Sequence, residues 1–133
     1  MSTIDLDVRL HIRCDRHAPA VVRTSLQRVG GLGWPLGDAM LVSSELVTNA
    51  VRHSGARPDK LIEVRVWVEG ERLRISVRDP GERGEVILRS DEEPGGMGLR
   101  IVEELALRWG AERDGGHRVW AELPVAGIES FTA

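Results

Sequence analysis

The sequence is poor in the features that crosslink a fold or carry it across a membrane. Cys14 is the only cysteine, so no disulfide can form within the chain, and a reducing compartment is expected. No apolar run approaches the roughly 18 residues that are typical of a membrane-spanning helix. Residues 1–7 are acidic and lack the apolar core of a signal peptide. These shortages predict a cytoplasmic protein without a membrane anchor.

Excess positive charge and abundant aromatic residues are missing as well. The formal net charge is -3 and the pI is about 5.8, which argues against direct binding to nucleic acid or to an anionic membrane. Aromatic residues make up only 4% of the chain, and four of them are tryptophans. Without a basic groove beside them, we assign these tryptophans to a core or an interface and not to base stacking: Trp34, Trp67, Trp109 and Trp120.

The apolar content of the chain, 41%, is sufficient for one hydrophobic core, and 133 residues is an ordinary length for one domain. We therefore expect a single domain over residues 1–133, with residues 125–133 as a loose tail. Strands are predicted by alternating apolar residues at positions 8–13, 62–68, 73–77 and 119–123, within a sheet of about five strands.

Three helices are predicted between these strands. Pro19 opens the first helix and Gly30 closes it, Asp38 caps a second helix that continues to His53, and a third helix extends from residue 99 to Gly110. Helices that cover one face of a sheet form an α/β two-layer sandwich, and we expect a mixed sheet in this arrangement.

The second predicted helix carries a line of polar side chains. Glu45, Asn49 and His53 are spaced four residues apart and therefore project from one helix face. A carboxylate can orient or deprotonate an attacking hydroxyl group, and an amide oxygen one turn away can ligate Mg²⁺. A solvated polar stripe is the simpler alternative for the same pattern.

Two further motifs follow along the chain. Asp79 and Gly81 come directly after a strand, where a carboxylate can accept a hydrogen bond from an exocyclic amine such as adenine N6 and a glycine admits a flat ring. The run Gly96, Met97, Gly98 and Leu99 leads into a helix whose N-terminus favours a polyphosphate. Taken singly, the first motif could be an ordinary turn and the second a flexible loop.

In this order the motifs resemble those of the GHKL ATPases, the superfamily that includes gyrase and the histidine kinases. The chain is most similar to the small anti-sigma factor serine kinases and their actinobacterial ATP-binding relatives. The resemblance extends from the first strand to residues 119–123 and implies a Bergerat-type ATP-binding fold. It further implies ATP and Mg²⁺ as ligands.

The resemblance also implies a role for each motif. Asn49 would ligate Mg²⁺, Glu45 would be the general base or orienting carboxylate, and His53 would close the same motif. Asp79 would bind adenine N6, with Gly81 supporting the base. The stretch 82–96 would be a short lid in which Arg83 or Arg89 reaches a phosphate. Backbone amides at the last motif would bind the phosphates: Gly96, Met97, Gly98 and Leu99.

Two positions depart from the family pattern. The glycine expected two residues after Gly81 is displaced to Gly84, which makes the start of the lid irregular. Arg118 stands where many relatives have a threonine whose hydroxyl helps to hold adenine. Both departures concern nucleotide binding and not the fold.

The function implied by the resemblance is ATP-dependent phosphorylation of a serine or threonine on a partner protein. The implied partners are a sigma factor and an anti-anti-sigma (STAS-type) protein that receives the phosphate, and a homodimer is expected from the same resemblance. A module that binds ATP and sequesters its partner without phosphorylating it is the alternative. The presence of Glu45 favours the kinase.

Overall fold

A computed structural model of the chain describes residues 5–30, 34–53, 57–80, 96–113 and 116–125. Alternating strands and amphipathic helices follow the apolar patterns of the sequence. In chain order the elements are β1 (Asp7–Arg13), α1 (Ala18–Val29), α2 (Leu36–His53), β2 (Leu61–Glu69), β3 (Arg72–Asp79), α3 (Gly96–Leu105), β4 (Arg108–Arg113) and β5 (His117–Pro124).

The five strands form one sheet in the order β1-β2-β3-β5-β4. Each neighbouring pair is antiparallel, so the strands described do not form the mixed sheet that we expected. The hairpin between β2 and β3 turns at Gly70, whose φ of 62° lies in the left-handed region that favours glycine. The α/β class itself is confirmed.

The helices pack on one face of the sheet and enclose the core. α2 lies centrally, in contact with α1, α3, β2, β3 and β5. Its apolar face meets the inward side chains of the central strands, and the fully buried residues include Leu46, Val47, Ile62, Leu73 and Ile75. The polar face of α2 therefore points away from the apolar core.

The beginning of α2 differs from the prediction. The helix starts at Leu36, so Asp38 lies in its first turn and is not its cap. An acidic side chain there still interacts favourably with the partial positive charge of the helix N-terminus. Leu41, one turn further along the helix, is 41% exposed.

The third helix is shorter than predicted and is followed by an additional strand. α3 ends at Leu105, and the N–H of Leu107 donates to the carbonyl of Glu122, which begins the pairing with β5. Trp109 and Gly110 therefore lie in β4, with Trp109 opposite Ala121. Trp109 was misassigned because its apolar spacing fits a helix face and the inner face of a strand equally well.

Of the predicted tail, residues 125–133, the structure describes only the first residue. Val125 is 7% exposed, and its N–H donates to the carbonyl of Glu71 at 3.1 Å. Residues 126–133 lie outside the described part. Within the described residues, no helix combines the length and the apolar character required to cross a bilayer.

Candidate functional site

The polar face of α2 carries Glu45, Asn49 and His53, as the spacing predicts. All three are partly exposed, whereas the neighbouring Leu46 and Ala50 are buried. The helix therefore separates a core-facing stripe from a line of groups that solvent or a ligand can reach.

The hydroxyl groups of Ser44 and Thr48 on α2 form hydrogen bonds with the helix backbone. Ser44 Oγ donates to the carbonyl of Leu41 at 3.1 Å, and Thr48 Oγ1 donates to the carbonyl of Ser44 at 2.8 Å. Such bonds hold hydroxyls against the helix backbone. The carboxylate of Glu45, the amide of Asn49 and the imidazole of His53 are the partly exposed polar groups of this face.

Asp79 lies at the end of β3, where its side chain points into the helix layer and is almost fully buried. The residue is 5% exposed, and its Oδ1 is 3.4 Å from Nδ1 of His117 on β5. The two residues are opposite each other in the β3–β5 register. Burying a carboxylate costs free energy unless polar groups lie close to it. The Asp79–His117 pair is therefore a polar site inside an apolar layer.

His117 was not among the residues that the sequence singled out. It is 5% exposed and occupies the first position of β5. The sequence did contain a signal, because His117 has the same strand parity as the inward-facing Val119, Ala121 and Leu123. What the sequence could not show is that the residue facing it across the sheet is Asp79.

The backbone of Gly116 packs closely against the backbone of Asp79. A Cβ atom built on Gly116 would lie 2.3 Å from the carbonyl oxygen of Asp79 and 3.5 Å from the carbonyl carbon of Pro80. No side chain fits in that space without a shift of the backbone. The glycine thus allows β5 to begin directly against the end of β3.

We predict that Gly116→Ala destabilises the protein by about 1–3 kcal/mol, because the added methyl group must displace the Asp79 backbone. Chemical denaturation measures the change in the free energy of unfolding. Gly37→Ala is the matched control: a Cβ at Gly37 meets nothing within 4 Å, so that variant should be neutral or more stable. Equal stability of the two variants would contradict the close approach.

The expectation for Arg118 needs correction. Arg118 precedes Val119, whose side chain faces the helices, so Arg118 faces the opposite side of the sheet. There it lines a groove with Trp67 and Trp120. Arg118 therefore does not occupy the place of a threonine beside adenine, and His117 is the residue of β5 that faces Asp79.

The first turn of α3 is formed by the glycine-rich motif. The helix begins at Gly96 and includes Met97, Gly98 and Leu99, of which Leu99 is 3% exposed. α3 packs against α2, so its N-terminal end belongs to the same helix layer as the polar face of α2. Gly81 and the lid arginines, Arg83 and Arg89, lie outside the described residues.

The described part of the site offers single polar groups and not a cluster of metal ligands. Among the described residues no three His, Cys, Asp or Glu side chains group closely enough to hold a metal ion. Mg²⁺ bound with a nucleotide needs only one or two protein oxygens, since phosphates and water complete its shell. Asn49 can supply such an oxygen, and the buried Asp79 can receive the amine of a base.

The comparison with protein families decides the class of the chain. The sequence model of the family described as histidine kinase-like ATPase domain matches residues 14–122. The chain belongs to this family. The match covers α2, β3, α3 and nearly all of β5, and so contains every candidate site residue. No curated protein sequence matches the chain.

Two solved structures resemble the chain. One contains the RsbU and RsbW domains of Rv1364c from Mycobacterium tuberculosis, with a TM-score of 0.65 and 21% identity over 90% of this chain. The other is the blue-light activated histidine kinase EL346 of Erythrobacter litoralis, with a TM-score of 0.57 and 23% identity over 84% of this chain. The similarity covers 32% and 42% of those longer chains, and it supports a shared fold.

Proposed function

We propose that this ATPase-family domain binds Mg²⁺–ATP and transfers the γ-phosphate to a serine or threonine of an anti-anti-sigma partner. The observation that carries the proposal is the buried Asp79 carboxylate beside His117, on the helix side of the sheet in a chain of this family. A carboxylate kept in an apolar layer is well suited to bind a base amine.

Recognition of the base rests on the Asp79–His117 pair. The carboxylate of Asp79 accepts a hydrogen bond from adenine N6, and the imidazole of His117 lies beside that carboxylate, with Nδ1 3.4 Å from Oδ1. Guanine presents a carbonyl oxygen at the same position of the ring, and two acceptors facing each other in a buried site disfavour binding. We therefore expect selectivity for ATP over GTP.

Binding of the phosphates rests on α2 and α3. The amide oxygen of Asn49 is the proposed Mg²⁺ ligand, and His53 continues the same face by one turn. The N-terminus of α3, from Gly96, supplies backbone N–H groups that have no acceptor within the helix itself, and about half a positive charge. Mg²⁺ would supply neutralisation of charge on the phosphates.

The transfer step is assigned to Glu45. Its side chain is one helical turn from Asn49 and is partly exposed, so a partner's hydroxyl group can approach it. There the carboxylate orients that hydroxyl and accepts its proton. Phosphoryl transfer depends mainly on such alignment and on charge stabilisation.

The partners follow from the resemblance to anti-sigma factor serine kinases and from the shared fold with a chain that contains an RsbW domain. We infer that the protein holds a sigma factor away from RNA polymerase and phosphorylates an anti-anti-sigma protein. A homodimer and a cytoplasmic location belong to the same proposal.

The proposal is tested by capturing partners of the protein from native lysate, adding Mg²⁺–ATP and measuring their masses. The expected result is one captured partner that gains the mass of one phosphate. A Glu45→Gln sample provides the control and should give no gain. Partners that bind and release with ATP while keeping their mass would instead establish a nucleotide-gated binding module.

A second test concerns the base site. Replacing His117 with leucine removes the polar imidazole 3.4 Å from the buried Asp79 carboxylate, so ATP affinity should fall by about tenfold or more. His117→Asn keeps an N–H donor and should retain most of the affinity. The ratio of ATP affinity to GTP affinity, measured by calorimetry, distinguishes a loss of base recognition from a general loss of protein stability. An unchanged ratio in a folded His117→Leu protein would remove His117 from the site.

A further inference from the structure

The sheet face opposite the helices carries a charge unlike that of the whole chain. We call it the open face, because every helix described packs on the other side. Of the outward positions, β1 contributes two arginines, β3 three, and β2, β4 and β5 one each. β2 contributes two carboxylates, and β1, β4 and β5 one each. The outward positions of the five strands thus carry eight arginines and five carboxylates, although the formal charge of the chain is -3.

Two tryptophans lie at the centre of the open face. Trp67 on β2 and Trp120 on β5 flank Ser76, with Trp120 directly opposite Ser76 in the register. Two adjoining grooves of about 290 Å³ and 200 Å³ meet here and share Trp67, Ser76 and Arg118 in their walls. Large aromatic side chains beside arginines are the residues that most often dominate protein-binding surfaces.

Both rings are held in fixed positions. The guanidinium carbon of Arg65 lies 4.1 Å from the centre of the Trp67 ring, and that of Arg108 lies 5.7 Å from the centre of the Trp120 ring. Trp120 also lies over Gly110, where an added Cβ would come within 2.9 Å of the ring. Gly110 thus makes room on β4 for the flat indole.

Paired carboxylates fix the two arginines in turn. Arg65 binds Asp7 through two contacts of 3.0 and 3.1 Å, and Arg108 binds Glu122 through two of 2.9 and 3.0 Å. Hydrogen bonds from Arg65, and after them those from Arg9, lower the pKa of Asp7 from 3.8 to about 2, and the hydrogen bonds from Arg108 lower the pKa of Glu122. Because these side chains are already ordered, a partner loses little of its binding energy in ordering them.

We propose that the open face is a docking surface for an acidic protein segment that carries an apolar side chain. The apolar side chain would lie in the larger groove between Trp67 and Trp120, and its carboxylates would face the surplus arginines. The surface is on the other side of the sheet from Asp79, so the inference does not depend on the nucleotide site.

The charge of the face favours this occupant over two others. A second copy of the chain, docked through the same face, would bring two surfaces with surplus arginines together. A single-stranded nucleic acid requires a continuous track of cations and accessible ring faces. Here carboxylates interrupt the arginines, and Arg65 covers one face of Trp67.

The test selects binders from a random peptide library on the immobilised full chain and measures the synthesised binders by fluorescence anisotropy. Trp67→Ala removes an anchor, and Arg9→Glu reverses the charge of a side chain that is 66% exposed and that pairs with Asp7 at 3.3 Å. Arg23→Glu is the matched control, because it makes the same charge change at an exposed position on the helix side.

The expected binders are rich in Asp and Glu and contain a large apolar residue. Trp67→Ala and Arg9→Glu should each weaken their binding by about tenfold or more, and Arg23→Glu by much less. Selection of peptides without acidic residues, or binding insensitive to both face variants, would overturn the proposal. So would a dimer that Trp67→Ala dissociates, or tight binding of oligouridine that the face variants abolish.

Discussion

Replacing Asn49 with alanine is expected to lower the affinity for Mg²⁺–ATP by about 100-fold or more and to leave the fold intact. The side chain is partly exposed on α2, so its removal opens no cavity in the core. It does remove the oxygen proposed to bind Mg²⁺, and changes near a metal ligand already cost about 10–100-fold in affinity. Calorimetric titration with ATP in the presence of Mg²⁺ measures the effect.

Thr48→Val is the appropriate control for Asn49→Ala. Thr48 precedes Asn49 on the same helix, and its hydroxyl is bonded to the backbone of the preceding turn at 2.8 Å. This variant should bind ATP like the unmodified protein. If folded Asn49→Ala also keeps its ATP affinity, the Mg²⁺ assignment is wrong.

The second large effect is expected for Glu45→Gln. Glutamine is close in shape to glutamate but cannot accept a proton at neutral pH, so phosphoryl transfer should fall by about 10²–10⁴-fold. ATP affinity should stay close to that of the unmodified protein, since Glu45 is assigned to the partner's hydroxyl group and not to the nucleotide. Single-turnover transfer of labelled phosphate to the captured partner, with ATP binding measured in parallel, separates the two.

Arg52→Gln serves as the control for Glu45→Gln, because it changes charge at an exposed position of the same helix. Its transfer rate should be close to normal. A Glu45→Gln protein that transfers phosphate at the normal rate would exclude Glu45 from the mechanism.

The sequence predicted most of the fold because, in most elements, the spacing of the apolar residues matches either a helix or a strand unambiguously. In β2 and β3 the buried residues alternate strictly, which identifies strands, and α2 carries an apolar stripe that continues for its full length. β4 had no such signal. In its six residues the burial changes only gradually, and Trp109 fits the preceding helix as well as the strand.

The candidate site was predictable where it depends on local spacing and not where it depends on strand pairing. Spacing by four places Glu45 and Asn49 on one helix face without further information. The contact between Asp79 and His117 joins residues from two strands, and the close approach of Gly116 to Asp79 depends on the same register. By resemblance, Arg118 was placed at the position of the family's adenine-binding threonine, although the parity of β5 places it on the open face.

The two faces of the sheet divide the protein chemically. The helix side combines an apolar layer with one buried carboxylate and a polar helix face, which suits a nucleotide. The open face combines ordered arginines with two tryptophans, which suits a protein. A domain with both surfaces could bind a partner on one side of the sheet while nucleotide chemistry takes place on the other.

The most direct test of the account is calorimetric titration of the unmodified chain with ATP, with and without Mg²⁺, and with GTP for comparison. The account predicts one ATP bound per chain, tighter binding with Mg²⁺ than with a chelator, and weaker binding of GTP. A folded protein that binds no ATP in the presence of Mg²⁺, or binds ATP and GTP equally, would contradict it.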